Sequence, residues 1–85
     1  MVRRSRLEII AEILKTSIGA SNKTNLVYST NINFKLLDET LDLLIERKFI
    51  ETIGKRLYTT DLGLEFLKIY EKMRGLIDLE RIRIA

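Results

Sequence analysis

Residues 21–60 read SNKTNLVYSTNINFKLLDETLDLLIERKFIETIGKRLYTT, and the fold turns on this stretch. It opens with a short helical run, predicted over 22–29, for which the Ser21 hydroxyl can accept from the orphan amides of the first turn. Leu26 and Val27 are its expected core contacts, with Tyr28 partly buried beside them. Thr30-Asn31-Ile32-Asn33 then reads as a turn. Asn33 can cap the next helix, predicted over 34–48. Within it Phe34, Leu37, Leu41, Leu44 and Ile45 recur at helical spacing and form the expected buried stripe. Lys35, Glu39, Asp42, Leu43 and Glu46 occupy the opposite face, and Leu36 and Thr40 its flank. The period then changes to two. Residues 49–53 and 56–60 are β-prone runs around Gly54-Lys55, which predicts a hairpin.

Outward from this stretch the chain is helical on both sides. A helix over 4–17 precedes it, with Leu7, Ile10, Ala11, Leu14 and Ile18 on one stripe. Ile9 and Ile13 lie off that stripe and are expected to cover a second surface, either the final helix or a partner. Thr60 is a good N-cap for a last helix over 61–77, and Asp61 suits the positive end of its dipole. Leu62, Phe66, Ile69, Met73 and Leu76 follow the 4-3-4-3 spacing of a coiled-coil seam, widened by Tyr70 and Ile77. Leu64 and Leu67 point elsewhere. A helix apolar on two sides must cover two surfaces: one is its own domain, and the other is most simply a second subunit. The expected homodimer interface is therefore Ile9, Ile13, Leu62, Phe66, Ile69, Tyr70, Met73, Leu76 and Ile77. Gly75 interrupts the seam and Glu80 falls on it, which limits its length.

Composition narrows the chemistry. Eighty-five residues suffice for one domain with a modest core. There is no cysteine and no histidine, which removes disulfides, the usual zinc ligands, a thiol nucleophile and an imidazole base. The four glycines are isolated, so no phosphate-binding loop is present. No cofactor, metal or small-molecule ligand is expected, and no catalytic residue. No apolar run approaches the ~20 residues of a membrane span, and the basic start is broken by Glu8 and Glu12, unlike a signal peptide. A cytoplasmic protein is expected. Fifteen basic against twelve acidic residues leave a net charge of +3, which suits a polyanion as partner. The excess is concentrated in residues 1–24 and 52–85, while residues 25–51 are net acidic.

The order helix, helix, turn, helix, hairpin, helix contains a helix-turn-helix followed directly by a wing. It is carried by Lys23-Thr24-Asn25-Leu26-Val27-Tyr28, by Asn31-Ile32-Asn33-Phe34 and by the run Leu41-Asp42-Leu43-Leu44-Ile45-Glu46-Arg47-Lys48-Phe49-Ile50-Glu51. The run Tyr58-Thr59-Thr60-Asp61-Leu62-Gly63-Leu64-Glu65-Phe66-Leu67 completes it. Over residues 4–75 the chain resembles the archaeal winged-helix regulators, especially the small dimeric chromatin-type proteins of about ten kilodaltons. The resemblance implies an α+β, mostly helical fold. It implies a DNA-binding winged helix-turn-helix over 1–60, with a basic N-terminal arm. It also implies a coiled-coil-like dimerisation helix over 61–85, packed on the same core, and a nucleoid-associated location.

A helix-turn-helix sets the start of its second helix in the major groove of duplex DNA. The side chains there are Asn31, Asn33, Lys35, Leu36 and Thr40, where the asparagines can equally be turn former and cap. Lys55 and Arg56 at the wing, Lys23 at the start of the second helix, and the arm Arg3, Arg4 and Arg6 supply positive charge for phosphates. Glu39, Asp42 and Glu46 would repel the backbone, so only the first turn of the helix can lie deep in the groove. The alternative is a protein–protein adaptor that docks through the acidic helix and the two-sided last helix. Paired carboxylates such as Asp38 and Asp42 read as solvated surface rather than a metal or catalytic site.

Overall fold

The computed structural model describes residues 5–77. The elements are α1 (Arg6–Thr16), α2 (Lys23–Thr30), α3 (Phe34–Glu46), β1 (Ile50–Ile53), β2 (Arg56–Thr59) and α4 (Asp61–Ile77). Among the described residues, four helices and a two-stranded antiparallel hairpin follow the predicted order, and α4 starts at Asp61 as read from the sequence.

Each helix starts on a side chain suited to the task. Ser5 accepts from the Glu8 amide, and the Glu8 carboxylate accepts from the Ser5 amide in return, a reciprocal capping box. This cap starts α1 at Arg6, two residues later than predicted. Asn22, not Ser21, caps α2 by accepting from the Asn25 amide at 2.8 Å. Asn33 caps α3 through the Leu36 amide at 2.8 Å, as its place in the sequence suggests. Thr60 Oγ1 accepts from the Gly63 amide at the start of α4 and donates to the Lys48 carbonyl.

Ser21 has a different task. Its amide donates to the Leu57 carbonyl at 2.9 Å, and its carbonyl accepts from the Leu57 amide at 2.8 Å. The segment just before α2 thus pairs with the second strand of the wing. The Ser21 hydroxyl, buried, meets that of Ser17 at 2.8 Å. The same strand closes the end of α1. The Thr59 amide donates to the Ser17 carbonyl at 3.0 Å, and the Thr59 hydroxyl to the Leu14 carbonyl at 2.6 Å. Helical carbonyls that lack intrahelical donors are thereby satisfied by β2.

The core gathers Ala11, Ile13 and Leu14 from α1, Leu26 from α2, and Leu37, Leu41 and Leu44 from α3. Ile50, Leu57, Leu67 and Tyr70 complete it from the wing strands and α4. Two predicted faces are rotated relative to this core. In α1, Ile13 is fully buried, while Leu7 and Ile18 from the expected stripe are half exposed. The reason is that α1 packs against α2, β2 and α4, so a wide arc of it is covered and Ile13 lies within that arc. In α3, Thr40 takes a buried place, while Phe34 and Ile45 remain open to solvent. Tyr28 of α2, expected to be partly buried, is 81% exposed.

Along α4 the covered residues are Gly63, Leu67 and Tyr70, spaced one and two turns apart. Leu67 therefore belongs to the domain core and not to a second surface. Phe66 is half-buried, its ring 5.2 Å from that of Phe49. Among the described residues, no helix is long and apolar enough to cross a membrane.

Candidate nucleic-acid interface

The turn between α2 and α3 is three residues long, Asn31 to Asn33. Asn31 is in the left-handed conformation, φ 56°, and its amide closes α2 on the Val27 carbonyl. Asparagine tolerates this conformation better than most residues, which explains its use at the sharp bend. Its side chain is exposed. Asn33 spends its side-chain oxygen on the Leu36 amide, which leaves its NH₂ group to donate outward. Lys35 stands exposed one residue into α3, beside half-buried Leu36.

Thr40 is not a contact residue. Its hydroxyl donates to the Leu36 carbonyl at 2.7 Å, and the residue is buried. A threonine hydroxyl on a helix commonly bonds one turn back in this way. Near the start of α3 the exposed polar side chains are those of Asn33 and Lys35.

The hairpin brings charge to a separate point. Ile53 pairs with Arg56, which leaves Gly54 and Lys55 as a two-residue loop. Gly54 has φ +64°, the left-handed geometry that tight hairpin turns need and glycine adopts without steric cost. Lys55 and Arg56 are both exposed at this tip. Because Ser21 pairs with Leu57, the start of α2 lies next to Arg56 along the strand ladder. Lys23 in turn reaches α3, where its ammonium meets Asp38 Oδ1 at 2.8 Å. The start of α2, the first turns of α3 and the second strand of the wing are therefore tied together by one backbone pairing and one ion pair.

That ion pair leaves no mark in the sequence, since the partners are fifteen positions apart on different helices. Both side chains are about half exposed, 56% and 49%. The Lys23 pKa is raised, first by the close hydrogen-bonding contact with Asp38, then by its charge, with Asp42 adding to the attraction. Lys23 is thus occupied rather than a ready phosphate donor.

Arg6 is the exposed first residue of α1 rather than part of an arm. Arg3 and Arg4 lie outside the described residues.

The predicted dimer residues divide into two groups. Ile13 and Tyr70 are buried in the domain's own core and have nothing to offer a partner. Ile9 and Phe66 are partly covered by the same core. Leu62, Ile69, Met73 and Leu76 are 46, 61, 42 and 79% exposed on adjoining turns of α4. Ile77 is the last of the described residues.

A helix-turn-helix followed by a paired wing defines a class, and the chain belongs to it: the winged helix-turn-helix family model matches residues 3–78. An uncharacterized protein of Methanocaldococcus jannaschii is similar to it, 30% identical over 78 residues. That match covers 91% of this chain and 77% of the relative.

Proposed function

We propose that this protein binds duplex DNA as a homodimer and acts as a transcriptional regulator or chromatin-type protein in the cytoplasm. The start of α3 enters the major groove, the wing tip lies on the backbone, and the subunits join along α4. The observation that carries the reading is the pairing of Ser21 with Leu57, which couples the helix-turn-helix to the second strand of a wing whose tip carries Lys55 and Arg56. Asn31, the Asn33 amide group and Lys35 are the base-edge candidates, and Leu36 offers an apolar edge beside them. Lys55 and Arg56 are phosphate contacts, to which Arg3, Arg4 and Arg6 of the N-terminal segment add.

The acidic residues of α3 limit how this helix can dock. Glu39, Asp42 and Glu46 are part of it, and all three are exposed, so the axis tilts and only its beginning approaches the duplex. Binding then depends on charge contributed by two subunits.

Fluorescence anisotropy of a labelled duplex, titrated with salt, tests this mechanism. Roughly six to ten phosphate contacts per dimer would lower affinity by about 10³–10⁵-fold between about 50 and 200 mM salt. A flat response removes the electrostatic mechanism. Absence of any shift at low salt favours an adaptor that docks proteins through the same acidic helix.

A further inference from the structure

Lys23 holds the place from which the first helix of a helix-turn-helix meets the DNA backbone, and yet its ammonium is already engaged. Asp38 Oδ1 lies 2.8 Å away, covered from solvent, and Asp42 one turn along α3 adds to the attraction. A phosphate approaching this corner meets a lysine with a competing anion beside it. Two outcomes are open to the pair. Either Lys23 stays with Asp38, and the corner presents a net repulsion to the backbone. Or Lys23 moves to the phosphate, and the Asp38 carboxylate is left without its partner. Each outcome weakens binding, and by an amount that does not depend on base sequence.

We propose that Asp38 is a positioning residue of the duplex interface, holding the Lys23 ammonium in the free protein, surrendering it to a phosphate on docking and so lowering affinity for every duplex alike. The proposal rests on the duplex-binding reading above. Its consequence is that affinity for every duplex is held down by a common factor, whatever the base sequence. Asp38 acts through Lys23 and touches no DNA itself.

A double-mutant cycle tests it, with anisotropy on a labelled mixed-sequence duplex over a range of salt. Asp38→Asn should tighten binding by roughly two- to five-fold per subunit, the range for a half-exposed pair. The salt slope should change by less than one phosphate per subunit, because Lys23 reaches a phosphate in parent and variant alike. In the Lys23→Gln background the same change should bring no gain. Asp38→Glu, which keeps the carboxylate, should restore the parental affinity. A gain of equal size in both backgrounds would mean only that negative charge was removed from α3, and the role of Asp38 as a gate on Lys23 is overturned. A parent that binds duplex but does not respond to Asp38→Asn also overturns it, with duplex binding left standing. If neither the parent nor any variant binds, the duplex reading falls and the gate falls with it.

Discussion

Gly63 has a role that only the folded chain reveals. It is the third residue of α4, and it packs against the backbone that leads from α3 into β1. A Cβ added there would collide with the Phe49 carbonyl oxygen and stand 2.7 Å from Thr59 Cγ2. The carbonyl cannot easily move, because it also accepts from the Thr60 amide at 3.0 Å. Two effects compete when alanine replaces this glycine. Helix propensity favours alanine by up to about 1 kcal/mol. Overpacking against fixed backbone costs about 1–3 kcal/mol. The clash should win, and Gly63→Ala should lower the melting temperature by several degrees in a circular dichroism melt. A higher melting temperature would mean that the close approach does not matter. In the sequence Gly63 is one of four isolated glycines with nothing to distinguish it. Its meaning depends on a residue fourteen positions away. The same is true of Lys23, which depends on Asp38, and of Ser21, whose capping chemistry is plausible locally but whose backbone is claimed by Leu57.

Elements are more legible than residues because their signals are local. Period changes and turn formers place the helices and the hairpin, and the caps at Asn33 and Thr60 are readable from residue type alone. Helix faces are less so. Counting apolar residues at helical spacing assumes one narrow stripe, whereas α1 touches three other elements and buries Ile13 in place of Leu7 and Ile18. Thr40 shows the converse: a polar residue can be buried when its hydroxyl finds a carbonyl one turn back. At this scale the wing supports a prediction. Lys55 and Arg56 are exposed on a loop whose shape is set by Gly54 and the Ile53–Arg56 pair. Changing both to alanine should leave stability within about 0.5 kcal/mol. Duplex affinity should fall alike for every sequence, and the salt slope should drop by about one for each phosphate that is no longer neutralised. A fall confined to particular sequences would instead place these side chains on base edges, and unchanged affinity would remove the wing from the interface.

For the molecule as a whole, the open question is what covers α4. The domain buries one side of it through Gly63, Leu67 and Tyr70. The adjoining turns leave Leu62, Ile69, Met73 and Leu76 between 42 and 79% exposed. Two copies would bury eight such side chains. Full burial of one is worth roughly 1.5–3 kcal/mol, and about half of that is still available at these exposures. The total, on the order of 10 kcal/mol, is of the same size as the ~4–15 kcal/mol that bringing two chains together costs. Seam burial alone therefore leaves a narrow surplus, and good packing at the seam must decide the outcome. Such an interface should be easy to break without harming the fold. Light scattering at micromolar concentration should return twice the 9.9 kDa chain mass. Ile69→Lys with Met73→Lys should return the single mass with an unchanged helical signal, because both side chains are already open to solvent in the domain. Duplex affinity should fall with it, since two half-sites would no longer be held by one particle. A parent protein that scatters as a monomer would refute the seam as a subunit contact, and α4 would then need another partner for its exposed side.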